Sequence, residues 1–114
     1  MTSLSLNDDE HYQNHILQGV SRTFALTIPQ LPHSLCRVIS NAYLLCRITD
    51  TIEDDNALTS EQTRQLSHMF ADVVCGHASA EEFAQRLYPL LSGHTIPAEH
   101  DLIKNTPAII RITH

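Results

Sequence analysis

With 114 residues, 42% of them hydrophobic and 18% charged, the chain has the composition of a globular domain or part of one, which excludes a disordered tail. A formal net charge of −6, and seven basic residues scattered along the chain, exclude an electrostatic nucleic-acid binder, because neutralising phosphates needs clustered Lys and Arg. Glycines number only three, against abundant Leu, Ile, Ala, Glu and Gln, a mixture that favours helix.

Residues 1–7 read as a frayed leader, with Asn7 or Asp8 capping a first helix that runs to about Val20 on an apolar stripe of Tyr12, Ile16, Leu17 and Val20. Ser21 to Leu31 is a short irregular or single-turn stretch. Pro32 then suits the first position of a long helix from His33 to about Asp55, where its missing N–H costs nothing. Thr59-Ser60-Glu61-Gln62 has the form of a capping box opening a helix to about Cys75, which Gly76 ends. Ser79-Ala80-Glu81-Glu82 repeats that signature for a helix to about Leu91, stopped by Gly93. Leu66, Phe70, Val73 and Val74 face inward on the former, and Phe83, Leu87, Leu90 and Leu91 on the latter. Pro97 opens a short helix to Asn105, and Thr106-Pro107 opens another. No strand-like alternation occurs, so the expected fold class is all-α, with residues 1–114 as one portion of a single domain.

The long helix departs from the ordinary surface pattern. At about 100° per residue, Tyr43, Arg47, Asp50 and Asp54 fall within roughly 60° of arc, stacked over about three turns. Val38, Leu45, Ile48 and Ile52 occupy the opposite face, while Leu35, Ile39, Ala42 and Cys46 fill one flank. A narrow charged stripe on an otherwise apolar rod predicts an enclosed helix whose stripe faces a cavity, where charges require pairing with one another, a metal or an ionic ligand. Asp50, Glu53, Asp54 and Asp55 also crowd the negative end of the helix dipole, at roughly 0.3–1 kcal/mol each. A divalent cation removes that penalty, and ligands that are all oxygen point to Mg²⁺ with phosphate oxygens completing its shell. Two blander readings stand beside this one. Asp54, Asp55 and Asn56 could end the helix in solvent, and Arg47 with Asp50 could be a plain i,i+3 ion pair.

The segments Ser21-Arg22-Thr23-Phe24, Leu31-Pro32, Tyr43-Leu44-Leu45-Cys46-Arg47 and Asp50-Thr51-Ile52-Glu53-Asp54-Asp55, in that order and spacing, resemble the squalene/phytoene synthase family. The form Asp50-Thr51-Ile52-Glu53-Asp54 is more similar to squalene synthases than to phytoene or dehydrosqualene synthases, which stay as alternatives. The resemblance implies part of an isoprenoid-synthase helical bundle around a central cavity, and head-to-head condensation of two farnesyl diphosphates through presqualene diphosphate to squalene. It also implies Mg²⁺ as a cofactor and NADPH for a reductive second step. By the same resemblance Asp50, Glu53 and Asp54 hold Mg²⁺ on a diphosphate, Arg47 reaches that diphosphate and Arg22 is a further clamp. Tyr43 lines the reaction centre, and Ser21 and Phe24 border the diphosphate and prenyl ends of the cavity. The family uses a second acidic motif far downstream, and none occurs in these residues. The chain therefore reads as an amino-terminal fragment that needs a carboxy-terminal half and is inactive alone. A reading of another class is a non-catalytic helical module that binds diphosphate or a partner.

Cys36, Cys46 and Cys75 lack a CxxC pair and lie in helical patterns, where they read as small hydrophobes in a reducing, cytoplasmic setting. The start of the chain shows neither a basic patch nor an apolar block, and no run approaches ~18 apolar residues, so neither a signal peptide nor a membrane span is expected, though peripheral membrane contact is left open. His11 and His15, spaced for a helical metal pair, sit among acidic and polar neighbours and read as a solvated face, as do His68 and Asp72. His33, His77, His94 and His100 fall at helix ends or loops, and Tyr88 beside Pro89 reads as core.

Overall fold

The computed structural model describes residues 2–93 and 95–113, with side-chain surroundings from Asp8 onward; His94 lies outside the described residues. The elements are α1 (Thr2–Val20), α2 (Arg22–Thr27), α3 (His33–Asp54), α4 (Ser60–Val74), α5 (Ala80–Leu87), α6 (Pro97–Lys104) and α7 (Thr106–Thr113), with 3₁₀ turns at Ile28–Gln30 and Tyr88–Leu90. Among the described residues there is no strand, and no helix is long and apolar enough to cross a membrane.

The chain is all-α, as its periodicity predicts, and most boundaries fall within a few residues of expectation. Helix α1 is the exception, because it continues upstream through the segment expected to fray. Asp8 and Asp9 are thereby placed inside a helix, where Asp is a modest helix former. Asp9 is held there by tertiary contact: Arg111 on α7 donates Nε to its Oδ2 at 2.7 Å and Nη2 to its Oδ1 at 2.8 Å. The stretch after α1 is more regular than expected. Ser21 caps α2 by accepting the Phe24 N–H at 3.3 Å. The capping box at α4 is complete, with Gln62 N–H donating to Thr59 Oγ1 at 3.1 Å and Thr59 N–H to Gln62 Oε1 at 2.9 Å. Gly76 ends that helix at φ 83°, a left-handed conformation that costs glycine little.

The core gathers around one side of α3. Leu44, Ile48 and Ile52 are fully buried there, and Phe83, Leu102 and Ile109 close the same cluster from α5, α6 and α7. A buried polar network threads the apolar packing. Gln13 Nε2 on α1 donates to the Arg37 carbonyl and to Asn41 Oδ1 on α3, and Asn41 Nδ2 donates to the Ile109 carbonyl and to Thr113 Oγ1 on α7. Each donor finds an acceptor, so the network fixes the register of three helices without leaving an unpaired amide.

Several inward assignments are corrected. Helix α3 is buried on one side only: Val38 is 63% exposed and Leu35 42%, with Ala42 and Cys46 also exposed. Its buried face runs from Thr51 and Leu44, beside the charged stripe, to Ile48 and Ile52 opposite it, so the opposite face is covered only in part. Cys46 and Cys75 are exposed thiols rather than core residues. Tyr88 and Leu90 lie on a 3₁₀ turn that ends α5 early, which rotates both outward to 39% and 37% exposure. His11, His15, His68 and Asp72 are exposed, as a solvated face requires.

Helices α1 and α6 meet at Gly19, where an added Cβ would lie 2.9 Å from Ala98 Cβ. Ala ordinarily gains up to about 1 kcal/mol over Gly inside a helix, and less in the last turn. A clash between two rigid backbones costs about 1–3 kcal/mol. Gly19→Ala is therefore expected to destabilise the chain by about 1 kcal/mol in urea denaturation, whereas a stabilised variant would show that the two helices separate freely.

Candidate active site on the long helix

Helix α3 runs unbroken from His33 to Asp54 and carries Tyr43, Arg47, Asp50 and Asp54 on one stripe, as expected. The stripe lies at the margin between the buried face and solvent, so its residues differ in surroundings. Tyr43 and Arg47 are half-buried, while Asp50, Glu53 and Asp54 are exposed.

At the upper end, the Tyr43 ring stacks on Phe24 with centroids 4.4 Å apart and planes 18° from parallel. The cap at Ser21 turns the chain into α2 and so delivers Phe24 to that stack. Ser21, Phe24 and Tyr43 are thus brought into one neighbourhood. Arg22, the first residue of α2, is exposed and makes no hydrogen bond or ion pair among the described residues.

Arg47 does not pair with Asp50. Its Nη2 donates to Glu99 Oε1 on α6 at 3.0 Å. The Thr51 hydroxyl supports the same carboxylate at 3.2 Å and the Arg47 carbonyl at 2.9 Å, its one proton serving either acceptor. Arg47 Nε is buried and has no partner. Glu99 carries no local motif, lies far from the stripe in sequence, and was legible only as an acidic residue in the first turn of a short helix.

Asp55, which follows the stripe, is buried rather than solvated, so the expectation that the helix ends in water fails at this residue. Its Oδ1 accepts the Ala57 N–H at 2.8 Å, and its Oδ2 accepts the Ser92 N–H at 2.9 Å and the Thr95 hydroxyl at 2.8 Å. Burial alone would push this carboxyl up. The N–H groups of Ser92 and Ala57, the Thr95 hydroxyl and the nearby His100 outweigh that effect and hold it below its ordinary value. His100 is correspondingly no bland loop residue: its Nε2 lies 3.0 Å from the Ser92 carbonyl, inside α6.

Between the end of α3, the segment around Ser92–Thr95 and the start of α6 lies a cleft of about 330 Å³, bordered by Thr51, Asp54, Asp55 and Glu99. Asp54 reaches this cleft, and Arg47 touches it through Glu99, whereas Asp50 and Tyr43 lie along the stripe outside it. The shared cleft expected for all four residues is thus split. Among the described residues, Asp50, Glu53 and Asp54 have no hydrogen-bond or ion-pair partner, and no group of three His, Cys, Asp or Glu is gathered closely enough to cage a metal. Two carboxylates one turn apart, both unpaired and offering only oxygen, suit a cation that keeps most of its waters, which is the habit of Mg²⁺.

The profile of the squalene/phytoene synthase family matches residues 17–103, a span that includes every residue of this stripe. The chain belongs to the squalene/phytoene synthase family. A squalene synthase of Botryococcus braunii is 34% identical over 86 residues, covering 68% of this chain and 18% of its own length. The squalene synthase of Solanum lycopersicum is 46% identical over 46 residues, 40% of this chain and 11% of that protein. Lycopaoctaene synthase of Botryococcus braunii is 31% identical over 86 residues, 68% of this chain and 19% of its own length. The chain thus spans less than a fifth of these family members. No solved structure matches it.

Asp55 gives this family segment a measurable signature. Because its folded value is depressed, its stabilisation is fully present above its ordinary value of 3.8 and is lost as pH falls through the folded value. Asp55→Asn replaces one acceptor oxygen by an NH₂ facing N–H or O–H donors, so a loss of about 1–3 kcal/mol is expected at neutral pH. The gap between wild type and variant should narrow in denaturation curves as pH falls below 3.8 and through the depressed folded value. A gap that stays constant with pH would contradict the assignment.

Proposed function

We propose that this chain supplies the first Mg²⁺–diphosphate motif of a head-to-head prenyltransferase, one that condenses two farnesyl diphosphates through presqualene diphosphate to squalene. The observation that carries the reading is the arrangement on α3: an aromatic stack, a half-buried arginine and two unpaired carboxylates in succession along one stripe. The family membership and the resemblance to squalene synthases support it.

In this reading Asp50 and Asp54 hold Mg²⁺, and Glu53, off the stripe by roughly 80°, assists. Bound Mg²⁺ supplies charge neutralisation for a departing diphosphate. Arg47 adds a fixed cation beside it, and exposed Arg22 is free to add another. The Phe24–Tyr43 stack supplies an apolar, π-rich wall for the allylic end of the substrate, where water must be kept from a carbocation. Reduction by NADPH is a further step to which no residue of this chain is assigned. One acidic motif serves part of a diphosphate site, so in this reading the 114 residues alone do not turn over substrate.

Calorimetric titration of the chain with inorganic pyrophosphate in the presence of Mg²⁺ tests the reading. Asp50→Asn and Asp54→Asn are each expected to weaken binding about tenfold or more, and Glu53→Gln only a few-fold, since a lost charge-assisted contact is worth roughly 1.5–3 kcal/mol. Unchanged affinity in both aspartate variants would overturn it.

A further inference from the structure

We propose that Glu99 is a positioning residue for diphosphate recognition: paired with Arg47 and steadied by the Thr51 hydroxyl, it holds the guanidinium with one edge open to an anionic ligand. The inference rests on the reading of the α3 stripe as a Mg²⁺–diphosphate site and extends it to a residue on another helix.

The three guanidinium nitrogens of Arg47 have different surroundings. Nη2 is tied to Glu99 Oε1 at 3.0 Å, and Nε is buried without a partner. Nη1 makes no hydrogen bond among the described residues, yet it is not among the buried unpaired atoms, so water reaches it. The guanidinium is therefore anchored on one side, enclosed along its stem and open at Nη1. A long, rotamer-rich side chain free in solvent loses rotamer entropy on being fixed by a ligand. Glu99 makes that ordering a property of the unliganded fold.

Charge requires the same partner. The Arg47 side chain is 27% exposed and that of Glu99 18%, so neither ion is fully hydrated, and each needs the other's charge. Glu99 has a second contact on α3: the Thr51 hydroxyl lies 3.2 Å from the same oxygen and shares its proton between that oxygen and the Arg47 carbonyl. Pairing with Asp50, one turn along α3, would direct the guanidinium down the stripe and neutralise a carboxylate needed for the cation. By taking Arg47 toward α6, Glu99 leaves Asp50 and Asp54 unpaired. The consequence is a division of labour in which one carboxylate orients the arginine and two remain for the metal.

Two measurements on the 114-residue chain test this. In ¹⁵N NMR of arginine side chains, Arg47 Nε–H should exchange slowly with solvent in the wild type, and Glu99→Gln should lose that protection. Titration with inorganic pyrophosphate at fixed Mg²⁺ should then show Glu99→Gln weakened on the order of tenfold, Arg47→Gln likewise, and the double variant little worse than either, as coupled residues behave. Thr51→Val should show a smaller loss in the same direction, and it covers the case in which Glu99→Gln fails to fold by thermal melting. Affinity for Mg²⁺ alone should be unchanged in all of them, which a general loss of structure would not allow. If Arg47→Gln weakens pyrophosphate but Glu99→Gln and Thr51→Val do not, the positioning role is overturned while the diphosphate reading stands. Tighter binding by Glu99→Gln would make Glu99 a competitor of the ligand and likewise overturn it. Failure of the wild type to take up pyrophosphate with Mg²⁺ would overturn both.

Discussion

The carboxylate of Asp55 accepts hydrogen bonds from Ala57, Ser92 and Thr95, and the shape of the acidic end of α3 depends on those contacts. Helix C-termini leave carbonyls unpaired and repel negative charge, so a turn bearing Asp50, Glu53 and Asp54 would fray if nothing fixed the residue that follows it. Asp55 fixes it by serving donors from the next loop and from the segment before α6. The main chain is thereby turned away at the point where the helix ends. Asp55 also lines the cleft between α3 and α6.

On that foundation, opposite charges are distributed unequally. Arg47 is neutralised by Glu99 across the cleft, and Asp9 is neutralised by Arg111 at the other end of the molecule. Asp50, Glu53 and Asp54 are left without compensation among the described residues. These three carboxylates are exposed, whereas the buried polar groups Gln13, Asn41 and Thr106 are all satisfied. Unbalanced charge at the negative end of a helix costs stability.

Much of the fold was legible because its signals are local. The Thr59–Gln62 capping box, the Ser79 cap, Pro97 at the start of α6 and Gly76 after α4 each act within a few residues, and each lies where the pattern placed it. The continuity of α3 and the alignment of its stripe follow from helical geometry alone. Contacts between distant segments could not be read in this way. Glu99 and Asp55 have nothing in their neighbourhoods to mark them as partners of Arg47 and Thr95, since those pairings exist only once α6 has packed on α3. The burial of α3 is less complete than its periodicity predicts, for a related reason. Periodicity identifies which residues are apolar, but Val38 and Leu35 show that it does not say which of them a given set of helices covers. The outward rotation of Tyr88 and Leu90 needed knowledge that Pro89 sits within a 3₁₀ turn rather than after a longer helix.

The proposed cation–diphosphate site at the acidic end of α3, framed by α6, can be located directly. Paramagnetic broadening reads this residue by residue: Mn²⁺, standing in for Mg²⁺, is added at a small fraction of the chain concentration with excess inorganic pyrophosphate, and backbone amide signals are followed by NMR. Selective broadening is expected across residues 50–55 and 95–99, with His11, His15 and His68 unaffected. Broadening centred on the histidine-bearing face of α1, or spread evenly over the acidic surface, would contradict it.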